Sequence, residues 1–116
     1  MSVAVKRVYE PVSPKDGYRI LVDRLWPRGL SKDRAAVDLW LKDIAPSTEL
    51  RRWFGHDPSK WDEFRRKYSA ELATHAEDVA QIRKLAKRRR VTLVYGARDT
   101  EHNDAVVLLG YLESRP

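Results

Sequence analysis

The stretch that decides the fold lies near the N-terminus and reads Ile20-Leu21-Val22-Asp23-Arg24-Leu25-Trp26-Pro27-Arg28-Gly29. Its first half belongs to a largely apolar run over residues 19–25, which is typical of a strand covered on both faces in a parallel sheet. Its second half, residues 26–29, has the composition of a type I turn, with Pro27 at the second position and Gly29 at the fourth. The stretch therefore predicts a buried strand that ends in a rigid polar turn, at the edge where open α/β sheets bind ligands.

Three further segments are predicted to join this strand in one sheet. Residues 3–9 and 91–95 are rich in valine, which is typical of strands. Residues 37–42 fit both an alternating strand and a helical stripe. We interpret them as a strand because the sheet needs a third member at this point.

Helices are predicted between the strands from caps and apolar stripes. The candidate helix starts are Ser31, Ser47, Asp57, the capping box at residues 74–77, and Asp99 or Thr100. The resulting order β-β-β-α-α-α-β-α predicts an α/β fold, a small three-layer Rossmann-like domain over residues 1–116. We expect about four mostly parallel strands, with helices on both faces of the sheet.

Composition limits the class of protein. A formal net charge of +6 favours anionic partners such as nucleic acid, phosphorylated metabolites or acidic protein surfaces. The absence of cysteine excludes disulfides, thiol nucleophiles and thiolate metal sites. No apolar run approaches the roughly 18 residues of a membrane span, and the first residues lack the layout of a signal peptide. These features predict a cytoplasmic protein that does not contact a membrane.

The first candidate group for ligand binding is Arg24, Arg28 and Lys32, which surround the predicted turn. Two guanidiniums and an ammonium would grip a phosphate or a carboxylate. Either Trp26 or Trp40 would stack on a ring of the same ligand. The alternative is that Arg24 pairs with a structural carboxylate while the other two cations are solvated.

The second candidate group is Lys42 together with Pro46-Ser47, at a predicted helix start. Free backbone N–H groups and the helix dipole attract an anion there, and the hydroxyl of Ser47 adds a donor. The alternative is that Ser47 is an ordinary N-cap.

The third candidate group lies in residues 95–103, between a strand end and a helix start. Tyr95 and Asn103 would supply hydrogen bonds, and Asp99 and His102 are the candidates for general acid–base function. Asp99 is equally well placed as a simple cap. Because the loops that follow parallel strands leave the same edge of a sheet, the three groups together predict one anion-binding site.

Two other features of the sequence bear on function. The three histidines, at positions 56, 75 and 102, do not have the spacing of metal ligands, so we predict no metal site, and the sequence identifies no cofactor. The basic run Arg83–Arg90 fits a patch for a phosphate backbone. We favour the alternative, a solvated helix end whose cations complement the helix dipole.

The stretches DGYRILVDRLWPRG (residues 16–29) and APSTELR (residues 45–51) together resemble the YeaO-like family of small bacterial proteins, a domain of unknown function. The resemblance extends over essentially the whole chain and implies a single-domain, Rossmann-like α/β protein. Related branches carry a Cys-His-Arg motif after the last strand. This chain has Glu101-His102-Asn103-Asp104 in that region, so thiol chemistry does not transfer to it.

From these observations we expect a protein that binds a small phosphorylated or nucleotide-like anion at the C-terminal edge of its sheet. A hydrolase-like activity is a further expectation for the same site. The alternatives are a basic nucleic-acid-binding or transcription-regulatory module, and a protein-interaction domain without a small ligand. The sequence leaves the oligomeric state open.

Overall fold

The computed structural model describes residues 2–114, which form a four-stranded, all-parallel sheet in the order β1-β4-β2-β3. The strands are β1 (Val3–Arg7), β2 (Tyr18–Leu21), β3 (Leu39–Trp40) and β4 (Val91–Tyr95). The last strand of the chain therefore lies between the first two. The predicted α/β fold with parallel strands is confirmed, and the strand expected within residues 37–42 is present but spans only two residues.

Five helices accompany the sheet in the described part of the chain. They are α1 (Lys32–Ala35), α2 (Thr48–Phe54), α3 (Trp61–Leu72), α4 (Ala76–Arg88) and α5 (Asp104–Ser114), with short 3₁₀ turns at Pro14–Asp16, Lys42–Ile44 and Pro58–Lys60. Among residues 2–114, no helix has both the length and the apolar character needed to cross a membrane.

The two faces of the sheet carry cores of unequal size. Side chains of a strand alternate between the faces, so Leu93 of β4 enters a large core and Val94 enters a small one. Helices α2, α3, α4 and α5 all contribute to the large core. The small core contains Ala35 of α1, with Trp26 and Trp40 packed against it. Helices thus lie on both faces, but unequally, because the long β3–β4 connection places all three of its helices on the same face.

Most of the predicted helix starts are confirmed. The side chains of Ser31, Ser47 and Asp57 accept hydrogen bonds from backbone N–H groups at the beginning of α1, α2 and the turn that precedes α3. The capping box predicted at residues 74–77 is wrong, because α4 begins after His75 without a side-chain cap. The threonine hydroxyl of that segment instead donates back to a carbonyl of α3.

Helix α5 is capped by Asn103, and the predicted start at Asp99 or Thr100 is wrong. The Asn103 Oδ1 atom accepts a hydrogen bond from the N–H of Val106 at 3.0 Å, which is the geometry of an N-cap. Asp99 caps the turn before the helix, where its Oδ1 atom accepts the N–H groups two and three residues further on, both at 2.9 Å.

The turn after β2 also differs from its prediction. The N–H of Leu30 donates to the carbonyl of Pro27 at 3.4 Å, so the turn begins at Pro27 and Gly29 occupies its third position. Gly29 has a φ of 81°, as type II turns require at this position, and the predicted type I turn over residues 26–29 is wrong. The strand itself ends at Leu21, with one further ladder hydrogen bond from the N–H of Val22.

Candidate functional site

Three loops meet at the C-terminal edge of the sheet, around Asp23. The N–H of Gly96, just after β4, donates to the Oδ2 atom of Asp23 at 2.8 Å. The indole N–H of Trp40, at the end of β3, donates to the carbonyl of Asp23 at 2.7 Å. The loops after β2, β3 and β4 are therefore joined through one residue.

Asp23 and Asp104 lie close enough for each carboxyl group to shift the pKa of the other, and we call them the carboxyl pair. Burial raises the pKa of Asp104 well above its ordinary value, and the nearby charge of Asp23 raises this pKa further. Burial also raises the pKa of Asp23, although the N–H of Gly96 and the hydrogen bond to Asp104 oppose this. Two carboxyl groups that interact in this way titrate as a pair and not independently, because the charge of one disfavours ionisation of the other.

Two basic side chains border the carboxyl pair. Arg51 of α2 and His56, just beyond that helix, are exposed, and both lie near enough to Asp23 to oppose the rise in its pKa. Helix α2 ends at Gly55 in the left-handed region, and His56 also has a positive φ of 57°. The chain therefore reverses sharply at this point. We call the surface bordered by Asp23, Arg24, Arg51, His56 and Asp104 the edge site.

Arg24 connects the first loop to the second. Its Nη2 atom donates to the carbonyls of Ala45 and Pro46 at 3.3 and 3.4 Å. Its Nη1 atom lies 3.9 Å from the exposed carboxylate of Asp43, which is a weak ion pair. Its Nε atom is buried and has no hydrogen-bond partner within residues 2–114. Arg24 thus positions backbone carbonyls as well as bordering the edge site.

In the rest of the first predicted group, the two indoles are engaged within the fold and the two cations are exposed. The Trp26 indole N–H donates to the carbonyl of Leu30 at 2.7 Å, and its ring packs edge-on against Trp40, with centroids 5.5 Å apart, beside the small core. Arg28 and Lys32 are exposed, one on the turn after β2 and one in α1. Both indole N–H groups are engaged within the fold, and the stacking role proposed for Trp26 or Trp40 stays a prediction.

In the second predicted group, Lys42 is exposed and Ser47 is bound by the chain itself. The ammonium of Lys42 lies 5.0 Å from the ring centroid of Trp40 and covers that ring. Both Ser47 donors go to one carboxylate: its N–H to Glu71 Oε1 at 2.8 Å and its hydroxyl to Glu71 Oε2 at 2.6 Å. The hydroxyl also caps α2. Ser47 therefore matches the alternative interpretation, in which it is a structural N-cap.

We predict that Glu71→Ala lowers the free energy of unfolding by about 1.5–3 kcal/mol, because two hydrogen bonds to a charged acceptor are lost together. Urea unfolding followed by circular dichroism measures the change. Glu63→Ala is the matched control, since Glu63 lies on the same helix in an exposed ion pair with Lys67 and should cost less than about 1 kcal/mol. Equal costs for the two variants would contradict a structural role for the Ser47–Glu71 contact.

The third predicted group forms a connected set of polar side chains. The Oδ2 atom of Asp99 lies 2.9 Å from the Nδ1 atom of His102, whose ring meets Trp61 edge-on at 5.1 Å. The N–H groups that Asp99 accepts keep the pKa of its carboxyl below the ordinary value. Burial raises the pKa of Tyr95, whose hydroxyl lies beside the Asn103 side chain. Asp99 and His102 are thus in contact, as an acid–base pair requires, and their catalytic role stays a prediction.

The carboxyl pair and the two basic side chains beside it are absent from the site that the sequence predicts. The sequence places Asp23 within the predicted strand over residues 19–25 and Asp104 in the segment Glu101-His102-Asn103-Asp104. The available signal was position, since Asp23 and Asp104 each follow one of the two central strands at the same edge. Within residues 2–114, no three His, Asp or Glu side chains are grouped closely enough to hold a metal ion.

Comparisons with known proteins place the chain in a family. The family described as "Inactive DUF488-N3 subclade" matches residues 2–115. The chain is similar to "Uncharacterized protein YeaO" of Escherichia coli (strain K12), with 47% identity over 98% of this chain and 99% of that protein. It is also 47% identical to "Uncharacterized protein Rv3073c" of Mycobacterium tuberculosis (strain ATCC 25618 / H37Rv), over 97% of this chain and 95% of that one. No solved structure matches it. The chain therefore belongs to the YeaO-like family of small bacterial proteins, within the inactive DUF488-N3 subclade, as its sequence motifs had predicted.

Proposed function

We propose that this chain is a non-catalytic domain that binds a small phosphorylated or nucleotide-like ligand at the edge site. The observation that carries the proposal is the carboxyl pair of Asp23 and Asp104 beside the exposed side chains of Arg51 and His56. The guanidinium of Arg51 attracts a phosphate, the imidazole of His56 adds a hydrogen-bonding group, and the carboxyl groups accept hydrogen bonds from hydroxyl or amino groups on the same molecule. A sugar phosphate or a nucleotide carries both kinds of group.

The position of the site supports the same conclusion. Ligands of open α/β sheets bind in the crevice outside the carboxyl ends of the strands, and the edge site lies at the ends of β2 and β4. Three loops are joined there through Asp23 and Arg24, so the polar groups are held on a fixed framework. Preorganised groups of this kind reduce the entropic cost of binding.

Binding without catalysis is favoured over the hydrolase-like alternative. The matching subclade is described as inactive, and the chain contains no cysteine that could act as a nucleophile. Among the residues predicted from sequence, Arg24 and Lys42 remain proposed anion contacts at the rim. Asp99, His102 and Asn103 remain proposed polar contacts from the third loop.

We expect ribose 5-phosphate and AMP to bind with a dissociation constant below about 1 mM, measured by isothermal titration calorimetry. Arg51→Ala should weaken this binding about 10- to 100-fold, because a hydrogen bond to a charged group contributes about 1.5–3 kcal/mol. Its thermal midpoint should stay within about 2 °C of wild type, since Arg51 is exposed.

Arg52→Ala is the matched control, because Arg52 is the neighbouring exposed arginine on the same helix and removes the same charge. Its affinity should stay within about twofold of wild type. The proposal fails if neither compound binds at millimolar concentration, or if the two arginine variants lose affinity equally. The first outcome would leave a protein-interaction domain as the better explanation of the edge site.

A further inference from the structure

A cluster of cations lies at the N-terminal edge of the sheet, opposite the edge site. It is formed by the end of α4 and the residues that lead into β4, together with the turn before β2. These two segments are adjacent, because the N–H of Tyr18 donates to the carbonyl of Arg90 at 2.9 Å. We call the exposed cations of this cluster the basic patch: Lys15, Lys84, Lys87, Arg88, Arg89 and Arg90.

Arg83, the first residue of the basic run, does not belong to the patch. Its Nη2 atom donates to the carbonyls of Tyr111 and Leu112 at 3.2 and 3.3 Å, so its guanidinium closes the end of α5. The structure thus divides the run Arg83–Arg90 into one structural arginine and a set of exposed cations.

The basic patch carries charge that the fold does not neutralise. Within the described ranges, none of its six side chains lies within 4.0 Å of a carboxylate. The chain has 23 Lys and Arg residues against 17 Asp and Glu residues, so six cations equal its whole formal excess of +6. Only a few cations are needed to complement the dipole of a solvated helix end, so the helix dipole does not account for all six.

Several of these cations are also held in place. The guanidinium of Arg89 lies 4.7 Å from the ring centroid of Tyr18, and the Nη1 atom of Arg90 donates to the Ser2 hydroxyl at 2.9 Å. Lys84, Lys87 and Arg88 are spaced i, i+3 and i+4, which places them on one face of α4 over about 6 Å of helix. The charges therefore form a compact surface.

We propose that the basic patch binds the phosphate backbone of a nucleic-acid duplex without reading its base sequence. Unneutralised cations gain affinity by releasing the counterions condensed on a duplex. A single strand is a poorer partner, because proteins that bind single strands stack bases on exposed aromatic rings. The aromatic ring at this surface, Tyr18, is half-buried and covered by Arg89. Most of the patch consists of cations at the C-terminal end of α4 and just beyond it, so contact with phosphates is the interaction that its chemistry supports.

The test is a salt titration of binding to a fluorescein-labelled 20-base-pair DNA duplex of mixed sequence, measured by fluorescence anisotropy with the full chain. We expect a dissociation constant of about 1–100 μM near physiological salt, and a slope of log K against log salt of up to about −5 for six contacts. The triple variant Lys84→Gln, Lys87→Gln, Arg88→Gln should lose about tenfold or more in affinity at 50 mM salt, and its slope should become shallower by about 3.

The control is Arg34→Gln, Arg52→Gln, Arg66→Gln, which removes the same charge from exposed arginines on other helices. It should keep its slope and lose less than about threefold in affinity. The proposal is overturned by equal losses in both triple variants, by tighter binding of the single strand than of the duplex, or by no binding at 50 mM salt. None of these results bears on Arg51 and sugar phosphates, so the two proposals fail independently.

Discussion

Asp16→Ala is expected to lower the free energy of unfolding by about 3–5 kcal/mol, because it leaves a buried arginine without its partner. Asp16 and Arg19 are 7% and 2% exposed, and an oxygen of Asp16 lies 2.7 Å from the Nη1 atom of Arg19. A second cation, the ammonium of Lys6, lies 3.1 Å from the other oxygen. The remaining donors of Arg19 go to the carbonyls of Ala35 and Ala36, so this cluster joins β1, β2 and α1.

The control for this prediction is Asp62→Ala, which removes an ion pair of the same residue types and the same i, i+3 spacing. Asp62 and Arg65 are 2.8 Å apart, but their side chains are 78% and 53% exposed. Such pairs contribute about 0–1 kcal/mol, so the difference between the two variants isolates burial. Urea unfolding at pH 7 measures both free energies. A cost below about 1 kcal/mol for Asp16→Ala would show that the Arg19 guanidinium is resolvated and that the cluster is not structural.

Asp16 also contributes to the acid sensitivity of the fold. Burial by itself would raise its pKa, but hydrogen bonds from Ser13, Lys6 and Arg19 outweigh burial and lower the pKa below the ordinary value. The stabilisation is therefore present above the aspartate pKa of about 3.9 in the unfolded chain and is lost as the pH falls through the folded value. Wild type should lose this contribution below about pH 4, whereas Asp16→Ala has none to lose.

Asp104→Asn is expected to raise the free energy of unfolding at pH 8, by about 1–4 kcal/mol, because it replaces an acidic group whose ionisation beside Asp23 is unfavourable with a group that stays neutral. The asparagine keeps an oxygen for the N–H of Ala105, which Asp104 accepts at 2.9 Å, and it adds a donor for Asp23. The shape of the site is preserved while the repulsion is removed.

The pH dependence of this effect has the opposite sign from that of Asp16. The pKa of Asp104 is raised in the folded chain, so its favourable contribution is complete below the unfolded pKa of about 3.9 and is lost as the pH rises through the folded pKa. The advantage of Asp104→Asn over wild type should therefore grow as the pH is raised above the unfolded pKa of about 3.9, as measured by urea unfolding at a series of pH values. A variant that is less stable than wild type at pH 8 would contradict the repulsion.

The outcome for Asp104→Asn bears on function as well as on stability. A carboxyl pair that destabilises the fold at neutral pH is the kind of feature that proteins retain at binding and catalytic sites. Exposed Asp62→Asn serves as the control, and its effect should be small and independent of pH. If Asp104→Asn is more stable and also loses affinity for AMP, ligand binding at the edge site explains why the destabilising carboxyl pair is retained.

Features with a strong local cause were predictable from the sequence. The apolar residues of β2 and β4 predict central strands, and the caps at Ser47 and Asp57 are correct because a side chain bonds its own neighbouring N–H groups. Local signals failed where two residues compete for one role. Asp99 and Asn103 both suit a helix start, and the choice of Asn103 depends on where α5 packs, which spacing alone does not specify.

The position of the candidate site could be predicted from the sequence, but the residues that form it could not. Parallel strands bring their C-terminal loops to one edge, so the meeting of residues from the three loops follows from topology. Which side chains face one another there depends on the path of each loop after its strand ends. The engagement of Ser47 by Glu71, and of Trp40 by the carbonyl of Asp23, required the structure.

By itself, the sequence determined the α/β class, the family, the central position of the stretch from Ile20 to Gly29 and the excess of positive charge, because each depends on local pattern or on composition. Only the tertiary structure decided that Asp23 lies against Asp104, about 80 residues away in the chain, and that one arginine of the basic run is structural. The physical reason is that hydrogen bonding and burial act between residues brought together by packing, and neither leaves a periodic trace in the sequence.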